Sequence, residues 1–348
     1  MVDGVSNYAS SLALRTTVTR LQKEMNDVRV EASTGKIADR GLTLGLRTSV
    51  NVDLQEQVKR IDTIKSMNAG VTSRLQATQD ALDSVRSLLT NVMDQFTQAK
   101  TAGGSMAMAQ KAAQDALSQL NDKLNASFNG QYLFAGVNTD VKPVSSSPTD
   151  PASPGEAAVD TGFLAQFGMT QTDPAVVNIS ASDMSAYISG NFGNLFGDAG
   201  WRSNFSAASD VVIKSRVSMS EVVDSSASAD AQAFRDITRA LTMVASTGVD
   251  KLNPATSSVV IDAAMKALGA GQQGLSTMQA DLGRTQTRVS DATDRLTIQS
   301  QSLTKSIGAM EDVDPYEVSI RLNNLSTQIE TSYALTSRIQ NLSLLKYL

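Results

Sequence analysis

The side chains that most often do chemistry are scarce in this chain: its 348 residues include no His and no Cys. Without His there is no ready general base near neutral pH and no imidazole for a metal. Without Cys there are no thiolate nucleophiles, zinc clusters or disulfides. Carboxylates, Lys, Ser and Tyr remain. Ser and Asp are plentiful between Lys142 and Asn253, with Lys at 142, 214 and 251, but they form no Gly-x-Ser-x-Gly elbow and no phosphate-binding glycine loop. One acidic run, Glu311, Asp312, Asp314 and Glu317, has the composition of a cation site. Its spacing does not follow a calcium loop. It reads instead as a helix start, with Asp314 at the cap, Pro315 first and Glu317 third. The sequence therefore nominates no catalytic, cofactor-binding or metal-binding residue, and no cofactor.

Composition points to structure rather than catalysis. Apolar residues make up 41% of the chain but aromatics only 5%, with a single Trp at 201. Helix–helix seams need Leu, Val, Ile, Ala and Met more than bulky rings. Lys and Arg number 30 against 35 Asp and Glu, a formal charge of −5 without a basic block, which argues against nucleic acid. Met1 to Leu14 lacks the cationic start and apolar core of a cleaved signal peptide. No run approaches the ~18 apolar residues of a membrane helix. These features lead us to expect a chain without membrane insertion, either cytosolic or exported by a route that needs no cleaved signal.

The elements that organise the chain are heptad seams. The first runs Leu14, Val18, Leu21, Met25, Val28, Ala32, in alternating steps of four and three. Gly35 closes it, and Gly41 and Gly45 mark an irregular link. The second runs Ile61, Ile64, Asn68, Val71, Leu75, Thr78, Leu82, Val85, Leu89, Val92, Phe96, with Asn68 and Thr78 as polar members that could set register. A shorter helix carries Ala113, Leu117, Leu120 and Leu124 ahead of an Asn129-Gly130 turn. The longest seam runs Leu268, Gly271, Leu275, Met278, Leu282, Thr285, Val289, Ala292, Leu296, Gln299, Leu303, Ser306, Met310, Val313. As one helix it would extend roughly 70 Å at ~1.5 Å per residue. After Asp314 comes a last helix with Val318, Leu322, Leu325, Ile329 and Ile339, ending in the apolar run Leu342 to Leu348. A free apolar end calls for a partner. Both terminal seams are expected to order only when a neighbour buries them.

Between the seams the character changes. Pro143, Pro148, Pro151 and Pro154 sit among Ser, Thr, Asp and Gly. Val211, Ile213, Val217 and Met219 alternate as a half-buried strand would, and a helix from Asp230 places Phe234, Ile237, Leu241 and Val244 on one face. The expected fold is mainly α. The N- and C-terminal segments form a long antiparallel, coiled-coil-like rod, with an inserted mixed α/β or β-containing outer domain. The segments are 1–44 (N-terminal assembly helix), 45–140 (rod helices and hairpin), 141–253 (insert), 254–313 (return rod helix) and 314–348 (C-terminal assembly helix).

Two stretches give this layout a likeness. Leu21 to Lys36 resembles the flagellin-type helix that closes in a Ser/Thr-Gly turn. Tyr333 to Leu348 resembles the family's last helix, with its Ser-Tyr pair and Leu-Ser-Leu-Leu-x-Tyr-Leu finish. The chain is thus identified, over about residues 10–140 and 205–348, as a member of the flagellin superfamily. A third element, Phe128 to Asp140, contains Asn129, Gly130, Tyr132, Leu133, Phe134 and Gly136. It resembles the Asn-Gly-x-Tyr-Leu-Phe-x-Gly motif of the hook-associated branch that joins hook to filament.

The resemblance implies a structural role in the bacterial flagellum, with no reaction on a substrate. The implied partners are other copies of the chain in a ring, a second hook-associated protein, hook protein, flagellin and an export chaperone. The implied location is extracellular, reached through the flagellar secretion apparatus. Leu14, Val18, Leu21, Met25, Val28, Leu322, Leu325, Ile329, Ile339, Leu342, Leu345 and Leu348 would form subunit interfaces. Ile61, Val71, Leu75, Leu82, Val85, Leu89, Leu275, Leu282, Val289, Leu296 and Leu303 would form the rod seam. Three other readings compete: a filament flagellin, a cytoplasmic signalling coiled coil, and a hydrolase within the insert. The signalling rod would need a membrane anchor and no Pro-rich insert, and the hydrolase has no motif to rest on.

Overall fold

Local stop signals decide where each long helix ends. In the computed structural model, which describes residues 3–101, 104–144 and 153–344, α1 runs Asp3–Thr34 and stops at Gly35. Gly35 takes φ 69°, a left-handed turn that costs glycine nothing, and its N–H returns to the Glu31 carbonyl at 2.8 Å. Asp39 caps the short α2 (Arg40–Leu44) by accepting from the Leu42 N–H at 2.9 Å. Helix α3 then runs unbroken through Arg47–Ala99, and α4 covers Met106–Leu124. Asn129 (φ 51°) and Gly130 (φ 79°) form the tight turn between β1 (Ser127–Phe128) and β2 (Gln131–Tyr132), pairing Ser127 with Tyr132 and Phe128 with Gln131. Helices α5 (Pro154–Phe167), α6 (Ala181–Ser189), α7 (Asn191–Asn194) and α8 (Asp198–Asn204) precede a second hairpin, β3 (Lys214–Arg216) with β4 (Val222–Asp224). Helix α9 (Gln232–Ser246), the 58-residue α10 (Pro254–Glu311) and α11 (Pro315–Leu344) complete the order. At the head of α11, Asp314 Oδ1 accepts from the Tyr316 N–H at 2.8 Å, as a cap should.

The chain divides into two compact units, residues 1–63 with 296–348 and residues 64–295. The division falls inside α3 and α10 rather than at the segment ends expected near 44 and 313. Within the first unit, Leu21, Met25 and Val28 of α1 pack with Val318 and Leu325 of α11. Leu322, Ile329 and Val313 flank this small core.

The second unit holds the larger core, and α3 and α10 run antiparallel through it. Gln79 Nε2 donates to the Gln279 carbonyl at 2.9 Å, and Gln279 Nε2 to Asp83 Oδ1 at 2.6 Å. Leu75, Leu82, Val85, Leu89 and Phe96 are fully buried there with Leu275 and Val289. Burial of each such side chain is worth ~1.5–3 kcal/mol. Asn68, 1% exposed, reaches Thr293 Oγ1 at 2.9 Å and the Val217 carbonyl at 3.0 Å, so this polar seam residue does fix a lateral match. Thr78 does not; its hydroxyl bonds the Arg74 carbonyl of its own helix at 2.9 Å.

The segment from 153 to 253 is more helical than its composition suggests. Its few aromatic rings are concentrated rather than spread. Phe163, Tyr187, Phe192, Phe196, Phe205 and Trp201 form a continuous chain with centroid spacings between 4.8 and 5.7 Å. The strand expected over Val211–Met219 shrinks to Lys214–Arg216, and Val211 and Met219 are 54% and 45% exposed. Backbone groups on the N-terminal side of this strand are engaged elsewhere: the Val211 carbonyl accepts from Val137 N–H at 3.0 Å, and Ile213 N–H donates to Ser226 Oγ at 2.8 Å. The helix expected from Asp230 is present as α9, with Phe234, Ile237, Leu241 and Val244 fully buried.

The longest seam also changes phase. Past Leu296 (4% exposed), Gln299 and Ser306 face solvent and Leu303 and Met310 are half-buried. The buried positions are Ile307 at 8% and Glu311 at 0%. A straight helix turns every 3.6 residues and a heptad every 3.5, so an apolar stripe drifts off a strict seam.

Candidate assembly surfaces

Packing between chains runs through the apolar side chains that the fold leaves open. The terminal pair leaves fewer than its seams suggest. Of the nominated interface residues, Leu21 (4%), Met25 (8%), Val28 (0%) and Leu325 (9%) are already covered within the chain. Leu14, Val18, Leu322 and Ile329 are half-buried. Ile339 and Leu342 lie on α11 with side chains outside the described set, and Leu345 and Leu348 lie outside the described residues altogether. Polar ties reinforce the pair: Gln22 Nε2 donates to Tyr333 Oη at 2.7 Å, and Arg321 pairs with Glu31 at 3.2 Å. Over this stretch α1 and α11 bury each other's stripes, so part of the expected interface is covered within the chain. Ala32, the last member of the first seam, is exposed, and the buried residue beside it is Glu31.

The open apolar surface includes two sets, neither of them on the nominated interface positions. Leu42 is 84% exposed, Leu46 97%, and Val50 and Val52 about half. A second set on the terminal pair comprises Leu12, Val30, Tyr316, Ile320, Tyr333 and Leu335. Seam reading could not find the first set, since Leu42 sits on a five-residue helix too short for a heptad, Leu46 in the link after it, and Val50 and Val52 on the first turns of α3 ahead of its seam. The signal was the density of leucines, at 42, 44 and 46, in a link that should be polar.

The Asn-Gly motif is a buried structural joint. Leu133 is 2% exposed and Phe134 0%, and Phe134 meets Phe234 edge-on at 5.5 Å. Ala229 N–H donates to the Phe134 carbonyl at 2.7 Å and Ser209 N–H to the Ala135 carbonyl at 3.0 Å. Gly136 has φ +64°, and a Cβ there would stand 2.5 Å from the Ser209 carbonyl oxygen. Nothing larger than glycine fits without movement.

The rod-seam nominees Ile61, Leu75, Leu82, Val85, Leu89, Leu275, Leu282, Val289 and Leu296 are buried, whereas Val71 and Leu303 are half-buried. Among the described residues no three Asp or Glu side chains are placed to hold a metal. The acidic run resolves into separate duties, with Asp314 capping α11 and Glu311 paired to Lys36 and Arg40. No helix among the described residues is long and apolar enough to cross a membrane. One titratable group stands apart. Glu156, in a cleft of about 570 Å³ lined also by Asp160, Gln171 and Lys251, has its pKa raised by burial to about 7, although the Ser246 hydroxyl bonds its Oε2 at 3.0 Å.

Residues 5–139 match the N-terminal helical region of bacterial flagellin, and residues 262–348 match its C-terminal helical region. The chain belongs to the flagellin superfamily. The matched regions of this flagellin-family chain contain both terminal helices, the Asn-Gly hairpin, most of α10 and the whole of α3 and α4; α5 to α9 lie between them. Among solved structures it is similar to a protein assigned as a flagellar hook-associated protein from Vibrio parahaemolyticus. That likeness has 13% identity and a TM-score of 0.53, and covers 76% of this chain and 97% of that one. FlgL of Bacillus cereus is 12% identical with a TM-score of 0.49, covering 74% of this chain and 99% of that one. At such identities the first likeness is one of fold. No curated protein matches the sequence. The flagellin-family chain is therefore a structural component of the flagellum, mainly helical, with two short hairpins among the described residues.

Proposed function

We propose that this flagellin-family chain is a hook-associated protein that joins the hook to the filament, rather than a subunit repeated along the filament. The observation that carries the reading is the element Asn129 to Gly136, whose Asn-Gly turn, Leu-Phe pair and positive-φ glycine each have a defined structural task. It is the part of the sequence that resembles the junction branch rather than flagellin at large. In this role the chain leaves the cell through the flagellar secretion apparatus with a chaperone. It then packs against its own copies in a ring at the distal end of the hook, touching hook protein or a second hook-associated protein below and flagellin above. A closed ring needs few copies, set by its symmetry. Work is done by packing, with Leu42, Leu46, Val50 and Val52 among the apolar side chains offered to neighbours.

Electron microscopy of a strain lacking the chain tests this directly. Hooks that end bare, with flagellin released into the medium, are the expected result. Hooks that still carry filaments overturn the junction role. Loss of the filament itself, without flagellin in the medium, assigns the chain to the filament instead.

A further inference from the structure

Each of the two helical runs in the first unit breaks once, and the breaks meet. One lies at residues 35–46, between α1 and α3; the other lies at 312–314, between α10 and α11. Ile37 N–H donates to the Glu311 carbonyl at 2.8 Å and Val313 N–H to the Gly35 carbonyl at 3.0 Å, with Lys36 directly opposite Asp312. The side chain of Glu311, the last residue of α10, is 0% exposed. Its carboxylate accepts from Gln55 Nε2 at 2.7 Å and from Lys36 Nζ at 3.2 Å, and Arg40 Nε stands 3.4 Å away. These donors come from the link, from α2 and from α3. Beside it Glu31 does the same on a smaller scale, accepting from Ala38 N–H at 3.3 Å and pairing with Arg321 at 3.2 Å.

A glutamate is an unfavourable choice for that place on every local count. It puts negative charge at the C-terminal, negative end of a helix. It also takes a carboxylate out of water, which costs several kcal/mol unless partners restore it. An apolar side chain of the same size would fill the space at no such cost. What a carboxylate adds is a directional demand for cations, and Lys36 and Arg40 meet it from the opposite break. We propose that Glu311 is a latch. Its charge, held by Lys36 and Arg40, locks the two breaks in one register, so that α1 and α11 leave the crossing as a pair with Leu21, Met25 and Val28 facing Val318 and Leu325. This assignment does not depend on whether the chain serves the junction or the filament.

Amide exchange on the full-length protein reads the latch residue by residue. In Glu311→Gln, the amides of Ile37 and Val313 should exchange roughly tenfold or more faster than in the parent, the factor that corresponds to about 1.4 kcal/mol. In the double variant Lys36→Met, Arg40→Met the acceleration should be larger, because the buried carboxylate loses both cations and keeps only the Gln55 amide as a side-chain donor. Adding Glu311→Gln to that double variant should restore protection towards the level of Glu311→Gln alone. Leu82 and Leu241, in the second unit, should keep parental exchange in all three. Parental exchange at Ile37 and Val313 in both Glu311→Gln and the double variant overturns the latch. So does a triple variant whose acceleration equals the product of the separate effects, since independent side chains would act that way. Loss of protection at Leu82 and Leu241 together with the crossing also overturns it, by making the effect global.

Discussion

The guanidinium of Arg74, on α3, donates through Nη2 to the carbonyl oxygen of Tyr132 at 2.8 Å and through Nη1 to Gln131 Oε1 at 3.1 Å. It thus holds the second strand of the Asn-Gly hairpin against the long helix. Arg74 is only 9% exposed, and desolvation lowers its pKa from the usual arginine value. Arg74→Met should cost about 2–4 kcal/mol, since the part-buried Tyr132 carbonyl loses a charged donor. Arg74→Lys should cost less but still lose the fork that reaches both acceptors. Urea melts with amide exchange at Leu133 check this. Equal stability of the parent and the Met variant would remove Arg74 from any role in seating the motif.

Two glycines with similar dihedral angles should respond differently to a methyl group. Gly35 has φ +69° and open space around it, so Gly35→Ala should cost only about 1 kcal/mol of backbone strain. Gly136 has φ +64°, and its added Cβ would meet the Ser209 and Val211 carbonyl oxygens at 2.5 and 2.6 Å. Gly136→Ala should cost on the order of 3 kcal/mol or more, as strain and overpacking add. Thermal melts that rank the two alike would show that dihedral strain alone governs both sites.

The phase change along α10 is testable by truncation. Ile307→Ala should destabilise by about 2 kcal/mol or more, and Leu303→Ala by less, because Ile307 is 8% exposed and Leu303 only half-buried. Leu82→Asp and Leu296→Asp should each cost several kcal/mol, while Asp294→Ala, at an exposed position, should stay within about 0.5 kcal/mol. Chemical denaturation of the five variants separates a strict heptad from the drifting stripe.

Stability should fall as pH rises through the window set by Glu156. Its folded pKa of about 7 exceeds the ordinary 4.5, so between those values the folded state binds more protons than the unfolded chain. Stability is fully present below about 4.5, declines towards 7 and is flat above. Glu156→Gln should flatten this slope and add on the order of 1–2 kcal/mol at pH 8, a figure reduced from the full shift because the cleft admits water. Melts at pH 4.5 and pH 8 for parent and variant provide the check; an unchanged slope would mean that Glu156 is not the titrating group.

Trypsin should trim the ends before it breaks the pair. Arg15 and Arg338 are exposed towards the free ends of α1 and α11, whereas Arg321 is engaged by Glu31 in the paired region. Cleavage at Arg15 and Arg338 should therefore precede cleavage at Arg321 in a timed digest read by mass. Early cleavage at Arg321 would show that α1 and α11 separate in the free chain.

The long helices and most of their ends follow from the sequence alone, because they depend on neighbours along the chain; the phase of α10 past Leu296 and the short helices α5 to α8 do not. The steps from Ile61 to Phe96 required one apolar face on one helix, Gly35 required a left-handed stop, and Asp314-Pro315 required a start. The Asn129-Gly130 turn needed no tertiary help either. The roles of polar residues were different. Asn68 and Thr78 are both polar members of one seam, yet only Asn68 bonds across to Thr293, since what lies opposite a seam is invisible along it. Glu311 looked like part of an acidic run, and the pairing of its buried carboxylate with Lys36, 275 residues away, and with Arg40 exists only because two chain breaks meet. The terminal seams read as surfaces awaiting a neighbour, because a heptad declares that an apolar face must be covered without saying by which helix. Only the tertiary structure decided that α1 and α11 cover each other, leaving Leu42 and Leu46 exposed.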